Sequence, residues 1–289
     1  MNPQITAGIC VKNAQGTVGE TVESILVQDY GPDLVEIVVV DGNSGDATLS
    51  IVQRLLSRGR VRWTLYPDGG MGLGYARQIV VNHARGKYLV FVDSDVVIRN
   101  DFLREQIEYL NTHPTVGVGL GRYLYKEGGG LLSSTWNLYL SASPSFIGCA
   151  FTFRKEAIRD ANGFDEKIRG AGEEVDLIAR IRSKGWEIAV TERAKFYHNR
   201  RWTVRSFWSE QSWFGHAGYY LALKDRRSFP PSPNMPAGQL IYGLRVASKT
   251  YRSTRRKISF FILPLLLLKS VAWCFGFLRA AIQGYGIRN

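Results

Sequence analysis

The sequence has little cysteine and little proline, and each shortage excludes a class of protein. Its three Cys residues, at positions 10, 149 and 274, are far apart and form no Cys-x-x-Cys pair. This argues against a disulfide scaffold or a structural zinc site and favours a reducing compartment. Ten Pro residues in 289, with 45% hydrophobic residues, exclude a Pro-rich or wholly disordered chain. The start, Met1 to Gln4, lacks the charged and apolar segments of a signal peptide, so we expect none.

Acidic residues are scarce in the last third of the chain. Residues 201–289 hold 14 Lys and Arg but only Glu210 and Asp225, so the whole net charge of +12 is located there. The first 200 residues are neutral in sum. This asymmetry predicts an anionic partner for the last third, either nucleic acid or a membrane surface.

An apolar run favours the membrane over nucleic acid. Residues 258–282 are long enough to cross a bilayer, which needs about 20 apolar residues. The basic segment 252–257 precedes the run, as on the cytoplasmic flank of a membrane helix. The alternative is a buried core helix, because Pro264 and Lys269 interrupt the run.

Two earlier stretches are typical of helices in the membrane interface. Residues 204–223 are rich in aromatic side chains, and residues 237–251 form a basic amphipathic pattern. Packing in a core is the alternative for each. We therefore expect a catalytic domain at 1–200, an amphipathic helix and linker at 201–235, and membrane-associated or transmembrane helices at 236–289.

Strands and helices alternate through the first domain. Apolar, β-branched runs predict strands, and helical periodicity with caps predicts the helices between them. A capping-box pattern runs from Thr17 to Glu20, and Asp46 is a candidate N-cap. This order predicts an α/β fold with a mostly parallel sheet and helices on both faces. The predicted strands are 5–11, 35–40, 61–66, 88–92 and 116–120, and the predicted helices are 17–28, 46–56, 72–84 and 101–111.

Acidic residues come directly after two of these strands, at the sheet edge where such folds bind ligands. Asp41 to Asp46 comes after the second strand, and Asp93-Ser-Asp95 after the fourth. Paired carboxylates at the end of a buried strand are costly without a cation, and a divalent metal is a natural partner. The alternative is a pair of turn or cap residues.

The glycine-rich segment 69–74 does not fit a dinucleotide-binding fingerprint. It lacks the third glycine at the required spacing and comes after the third strand rather than the first. We expect these glycines to let the backbone approach a ligand, with Arg77 on the helix just beyond them. A flexible loop with a surface Arg is the alternative.

In this order the motifs resemble the family 2 glycosyltransferases, which have the GT-A nucleotide-diphospho-sugar transferase fold. The resemblance covers about 200 residues. It rests on Asn13 in the opening strand–helix unit, His198 after a later strand, and five segments between them. The segments are VEIVVVDGNSGDAT (35–48), GLGYARQ (72–78), GKYLVFVDSD (86–95), GCAFTFRKEAIRDANGFDE (148–166) and GEEVDLIARIRSKGW (172–186).

The resemblance implies roles by position. Asp93, Asp95 and His198 would hold Mn²⁺ or Mg²⁺, which would bridge the two phosphates of a nucleotide-diphosphate sugar. His198 as a loop residue facing water is the alternative. The residues implied in nucleotide binding are Lys12, Asn13, Asp41, Arg77 and Asp93.

The implied base departs from the family pattern. Glu174 stands where most members have Asp, so its carboxylate reaches one methylene farther; a general base must come within about 2.6–3.2 Å of the acceptor hydroxyl. An ionised phosphate acceptor would need no base. Glu173, Asp176 and Gly148 are implied as acceptor or structural support. Alternatively, the acids Glu173, Glu174 and Asp176 only begin a helix, where they suit the dipole.

The tail lacks the Gln-x-x-Arg-Trp motif of processive polysaccharide synthases. It resembles instead that of small archaeal membrane mannosyltransferases with a reduced cellulose-synthase-like architecture, which act on dolichyl or polyprenyl phosphate-linked acceptors. The resemblance implies inverting transfer of a hexose, mannose from GDP-mannose first, at the cytoplasmic side of the cell membrane, with no nucleic acid partner. The alternatives are a UDP-sugar-dependent transferase, a metal-dependent nucleotidyltransferase, and a non-enzymatic binding module.

Overall fold

The chain divides into two units, which we call the sheet unit and the helical unit. The computed structural model describes residues 3–124, 130–142, 149–198, 203–231 and 234–285. The sheet unit holds the described residues up to Leu124, from Cys149 to Arg169 and from Glu173 to His198. The helical unit holds the others. The subdivision of the chain beyond residue 200 into an interface segment and a membrane segment stays a prediction.

The sheet unit is built on one mixed sheet of eight strands. In spatial order they run β3-β2-β1-β4-β7-β6-β8-β5. Neighbours pair in parallel, except that β7 is antiparallel to both β4 and β6, and β5 is antiparallel to β8. The strands are β1 (Ile5–Val11), β2 (Val35–Asp41), β3 (Arg62–Pro67), β4 (Tyr88–Val92), β5 (Val96–Ile98), β6 (Val116–Tyr123), β7 (Ala150–Arg154) and β8 (Glu187–His198).

The central strands are the most hydrophobic segments of the sheet unit. Every residue of β2 and of β4 is buried, as expected for strands covered on both faces. Helices lie on both sides of the sheet, so the predicted α/β, GT-A-like fold class is confirmed. Three antiparallel pairs make the sheet more mixed than predicted, and the short strand β5 was not predicted.

The helices of the sheet unit lie between its strands along the chain. Two predicted caps are wrong in detail. The Thr17 hydroxyl donates to the Ala14 carbonyl and caps no helix N–H. The second helix begins at Thr48, so Asp46 lies outside it. The Thr48 N–H and hydroxyl both donate to the Asp46 carboxylate. The helices are α1 (Val18–Leu26), α2 (Thr48–Leu56), α3 (Leu73–His83), α4 (Phe102–Thr112), α6 (Lys155–Asp160) and α7 (Glu173–Ser183), while α5 (Gly130–Ala142) belongs to the helical unit.

The helical unit also contains α8 (Val204–Lys224), α9 (Pro236–Thr254) and α10 (Ile262–Gln283). Pro264 was expected to interrupt the apolar run, but it does not break the helix. It falls in the first turn of α10, where a backbone N–H has no intrahelical acceptor, so the helix continues unbroken. Within the described residues, one stretch, Lys257–Gln283, is long and apolar enough to cross a bilayer by its length and composition.

The helices of this unit pack tightly. Aromatic and aliphatic side chains of α5, α8, α9 and α10 form a shared core around Trp136, Phe207 and Leu266. Helices α8 and α10 cross with their backbones in contact at Gly215 and Gly276. A Cβ atom on Gly276 would lie 1.8 Å from the Ser212 carbonyl oxygen. Part of the apolar run is therefore core, since 39% of its most apolar window is buried.

Candidate active site

The predicted nucleotide-binding residues come together at one edge of the sheet. Strands β1, β2 and β4 are adjacent and parallel, so the segments that come after them emerge at the same edge. Lys12 and Asn13 come after β1 and are exposed, while Asp41 ends β2 and is buried. In the register of the sheet Asp41 pairs with Val11. Asp93 comes directly after β4.

The loop after β2 holds Asp41 in a fixed orientation. Its carboxylate accepts hydrogen bonds from the Ser44 N–H, at 3.1 Å, and from the Ser44 hydroxyl, at 2.6 Å. Asn13 joins this loop from β1, because its side-chain oxygen accepts the Gly45 N–H at 2.8 Å. Sequence reasoning missed Ser44, although Asp side chains in turns commonly accept hydrogen bonds from backbone N–H groups a few residues further on.

Two glycines at the start of α3, Gly72 and Gly74, pack closely against the protein's own backbone. Gly72 has a φ of 107°, and a Cβ on it would lie 2.5 Å from the Arg169 carbonyl oxygen. A Cβ on Gly74 would lie 2.4 Å from the Asp165 carbonyl oxygen. These two glycines therefore let α3 approach the segment 165–169 of the protein itself. The expectation that this glycine-rich segment lets the backbone approach a ligand stays a prediction, and it applies best to Gly69 and Gly70, whose Cβ positions meet no atom within 4 Å.

Arg77 lies inside the sheet unit, with a side chain that is 3% exposed. Its Nη2 donates to Asp93 Oδ1 at 2.8 Å, and its Nη1 lies 2.9 Å from Glu173 Oε1. The rings of Phe91 and Phe151 flank the guanidinium at 5.4 and 5.3 Å. Its direct contact with a nucleotide stays a prediction, and its observed partners are two carboxylates.

Burial disfavours the charged form of Arg77, yet the carboxylates of Glu173 and Asp93 outweigh burial and raise its pKa. Burial also raises the pKa of the Glu173 carboxyl well above its usual range, although Arg77 acts in the opposite direction. The nearby Cys10 thiol, on β1, has its pKa raised to about 12 by burial. The ion pair is thus set in a poorly solvated part of the protein.

Asp95 and His198, both predicted to be metal ligands, are in contact, and their role as ligands stays a prediction. His198 Nε2 lies 2.7 Å from Asp95 Oδ1. The contact results from strand pairing, because β5 begins directly after Asp95 and its first residue, Val96, pairs with His198 at the end of β8. The Val96 N–H also donates to the Asp93 carbonyl, which closes a tight turn over Asp93 to Asp95.

The donor set fits a divalent cation that is shared with a ligand. Carboxylate oxygens suit Mn²⁺ and Mg²⁺, and a neutral imidazole is the commonest side-chain metal ligand in proteins. Among the described residues no group of three or more His, Cys, Asp or Glu side chains is placed to hold an ion. The protein would therefore contribute Asp95 and His198, and oxygens of a bound diphosphate or water would complete the shell.

Three acids begin α7, and they differ in exposure. Glu173 is fully buried on Arg77, and Asp176 is buried with Oδ2 at 2.6 Å from Arg180 Nη2. Glu174 is half-buried and so is the one of the three that is partly open to solvent. Gly148, the remaining predicted site residue, lies outside the described residues.

Acidic residues lie at the carboxyl edge of this GT-A-like sheet, where ligands of α/β folds bind. The family model described as "Glycosyl transferase family 2" matches residues 6–163, more than half of the chain, so the protein belongs to that family. A second model, "N-terminal domain of galactosyltransferase", matches residues 131–201. The family resemblance predicted from the motifs is thereby confirmed.

Relatives share the fold at low sequence identity. The poly(ribitol-phosphate) beta-N-acetylglucosaminyltransferase TarS of Staphylococcus aureus is 23% identical over 203 residues, which are 65% of this chain and 34% of TarS. The chain thus matches about a third of the length of that relative. The structure of the mannosyltransferase PcManGT from Pyrobaculum calidifontis, in complex with GDP-Man and Mn²⁺, superposes with a TM-score of 0.61 at 20% identity. That superposition covers 98% of this chain and 76% of PcManGT. TarS 1–349 in complex with UDP gives 0.55 at 18% identity, covering 99% and 93%.

Proposed function

We propose that this protein transfers a hexose from a nucleotide-diphosphate sugar to an acceptor, with a divalent cation and with inversion at the anomeric carbon. The observation that carries the proposal is the pairing of Asp95 with His198, beside Asp93, at the carboxyl edge of the sheet. In a family 2 chain this is the place where a nucleotide and its diphosphate are expected. Lys12, Asn13 and Asp41, around the end of β1 and β2, would contact the nucleotide.

In the proposed reaction the acceptor oxygen forms a bond to the anomeric carbon as the bond from that carbon to the phosphate oxygen breaks. The nucleoside diphosphate leaves on the opposite side. When bound, the cation stabilises the charge that develops on the leaving diphosphate. Asp95 and His198 would hold it, and Asp93 would orient the nucleotide.

Glu174 is the proposed base for a hydroxyl acceptor. It would receive the hydroxyl proton, and its partial exposure at the start of α7 supports this role. A phosphate acceptor is ionised at neutral pH and would dispense with the base. Transfer to a hydroxyl and transfer to a phosphate therefore predict different sensitivities to Glu174→Gln.

GDP-mannose is the donor that we propose first, and UDP-glucose and UDP-GlcNAc are the alternatives. PcManGT was solved with GDP-Man and TarS with UDP. Both structures are close to 20% identical to this chain, so they support a nucleotide-sugar donor but do not distinguish guanine from uracil as its nucleobase. The donors must be compared side by side.

A lipid-linked acceptor, of the dolichyl or polyprenyl phosphate type, fits the helical unit best. On α9 the apolar side chains of Leu240, Ile241 and Leu244 are exposed. They adjoin the exposed basic residues Arg245, Lys249 and Arg252, which line a shallow depression with Ser248 and Ser253. Exposed apolar and basic side chains on one helix suit an anionic membrane surface. We propose a membrane location with the sheet unit on the cytoplasmic side.

The test is transfer of labelled sugar to polyprenyl phosphate by the detergent-solubilised chain, with Mn²⁺ and with EDTA. Asp95→Asn and His198→Asn should each lower transfer about a hundredfold or more, as expected when ligands of a catalytic cation are lost. The matched controls Asp29→Asn and His113→Asn change exposed residues that are not part of the candidate site and should keep full activity.

The outcomes separate the parts of the proposal. Nucleoside diphosphate release without labelled lipid would reject the acceptor and keep the transferase. Equal activity in Mn²⁺ and EDTA would reject the cation. No transfer and no release from any of the three donors would reject the function.

A further inference from the structure

One buried guanidinium lies between the donor side and the acceptor side of the candidate site. Arg77 stands on α3, Asp93 comes directly after β4, and Glu173 begins α7. Arg77 contacts both acids with different nitrogens, at 2.8 and 2.9 Å. Glu173 is the neighbour of Glu174 in the chain, so the same guanidinium contacts the proposed nucleotide residue and the segment that carries the proposed base.

The surroundings leave this guanidinium little freedom. Its fork is planar, so fixing one nitrogen on Glu173 sets the direction of the other. Phe91 and Phe151 flank it, and Glu173 is 1% exposed. Asp93, in contrast, is 29% exposed, so its side chain is partly open to solvent at the carboxyl end of β4. The buried acid therefore anchors the arginine, and the arginine orients the partly exposed acid.

We propose that Arg77 is a positioning residue that fixes Asp93 on the donor side and the start of α7, with Glu174, on the acceptor side. Glu173 is its anchor and not the base. This inference rests on the proposed function, because Asp93 and Glu174 have their roles only there. In this view Arg77 and Glu173 position other residues. If Arg77 contacted the nucleotide directly, it would be a binding residue instead.

A merely structural ion pair and a positioning pair are distinguished by the double variant Arg77→Met/Glu173→Leu. Replacing both members of a buried ion pair by apolar residues of similar size is often neutral for stability. We expect the double variant to keep its thermal midpoint within a few degrees. Its Kd for GDP or UDP, measured calorimetrically with Mn²⁺, should nevertheless rise about tenfold, as for loss of an outer-shell partner. The value of kcat should fall as well.

Two further measurements identify the path of the effect. If the pair acts on the nucleotide through Asp93, adding Asp93→Asn to the double variant should give the Kd of Asp93→Asn alone. If the pair acts on the base through α7, the double variant should have a lower kcat. Glu174→Gln should also lower kcat, but it should leave Kd unchanged. Arg154→Lys is the control, because this buried arginine donates to the carbonyls of Val116, Leu110 and His113. It should lower the thermal midpoint and leave Kd unchanged.

Unchanged Kd and kcat in a folded double variant would overturn the inference, and so would Kd losses that add to that of Asp93→Asn. Should the double variant fail to fold, Arg77→Lys keeps the charge but lacks the fork. It must then show the same rise in Kd, and a normal Kd overturns the inference. If the unaltered protein binds neither GDP nor UDP, the proposed function fails and this inference fails with it. Binding that is weakened by Asp93→Asn but not by the Arg77 variants rejects this inference alone.

Discussion

In the sheet unit the decisive charged side chains meet inside the fold, whereas in the helical unit they stand outside, next to apolar ones. Arg77 is buried between Asp93 and Glu173. Arg245, Lys249 and Arg252 on α9 are exposed, and within the described residues no ion pair engages them. The net charge of a unit therefore says little about the roles of its charged side chains. The sheet unit, which has almost no net charge, uses its charged side chains to build a site, whereas the helical unit, which carries the positive excess, presents them at its surface.

The largest effect expected is on stability, from Arg77→Met alone. It leaves Glu173 buried without its counter-charge, which costs about 3–5 kcal/mol in other buried pairs. Urea unfolding of the full chain would measure it. Arg122→Met is the matched control, because Arg122 lies 3.4 Å from Glu192 with the two side chains 40% and 67% exposed, and such surface pairs contribute about 1 kcal/mol or less. Equal losses in the two variants would break the contrast between inside and outside charges.

The next effect concerns the membrane. Changing Arg245, Lys249 and Arg252 together to Gln should weaken binding to vesicles rich in anionic lipid by about 3 kcal/mol, at about 1 kcal/mol for each basic residue. Cosedimentation with vesicles of phosphatidylglycerol and phosphatidylcholine is the measurement. Arg54, Arg58 and Arg60 of the sheet unit are also exposed. The same changes there should have little effect, and an equal loss would reject α9 as the specific surface.

A smaller effect is expected from close packing in the helical unit. Gly276→Ala would place a methyl group 1.8 Å from the Ser212 carbonyl oxygen, so α8 and α10 must move apart. Such overpacking costs about 1–3 kcal/mol. Thermal unfolding in detergent would measure it. Gly16→Ala, where no atom lies within 4 Å of the new Cβ, should be close to neutral. A neutral Gly276→Ala would mean that the crossing yields easily.

The smallest effect is expected at the loop of Asp41. Ser44→Ala removes the hydroxyl that donates to the Asp41 carboxylate and accepts the Asn13 N–H, but it keeps the bond from the Ser44 N–H to Asp41. A hydrogen bond contributes about 1 kcal/mol, so losing the one that orients Asp41 should lower nucleotide affinity roughly fivefold. Calorimetric titration with GDP and UDP checks this. Ser50→Ala removes a hydroxyl bonded only to the Ala47 carbonyl and serves as the control. Equal affinities in the two variants would remove Asp41 from the nucleotide site.

Much of the sheet was predictable, because a buried strand can be recognised from the residues of its own short segment. The run at 35–40 is β-branched and continuous, and all of β2 is buried. The acids Asp41 and Asp93 stand at the carboxyl ends of strands that the sequence already predicts, so their place at the sheet edge was predictable too. The meeting of Asp95 with His198 agrees with the resemblance. These features depend on short segments and on the order of strands.

The rest depended on contacts between distant segments. Nothing near Arg77 in the sequence shows that Glu173 will cover it. The close approach of Gly72 to Arg169 is equally invisible, so a glycine-rich loop suggested a ligand where the protein contacts itself. The Thr17 to Glu20 pattern failed for another reason, because the Thr17 hydroxyl has the Ala14 carbonyl within reach.

Strand β5 is only three residues long, yet its alignment with β8 decides which side chain reaches Asp95. Val96, Val97 and Ile98 pair with His198, Tyr197 and Phe196 in turn. Successive side chains of a strand point to opposite faces, so a shift by one residue would present the wrong face to Asp95. Losing a single residue from the end of β8 should therefore be as damaging to transfer as His198→Asn, although it leaves the imidazole in the chain. At this edge we expect exchanges of the side chains other than Asp95 and His198 to be tolerated, and insertions or deletions to be rejected.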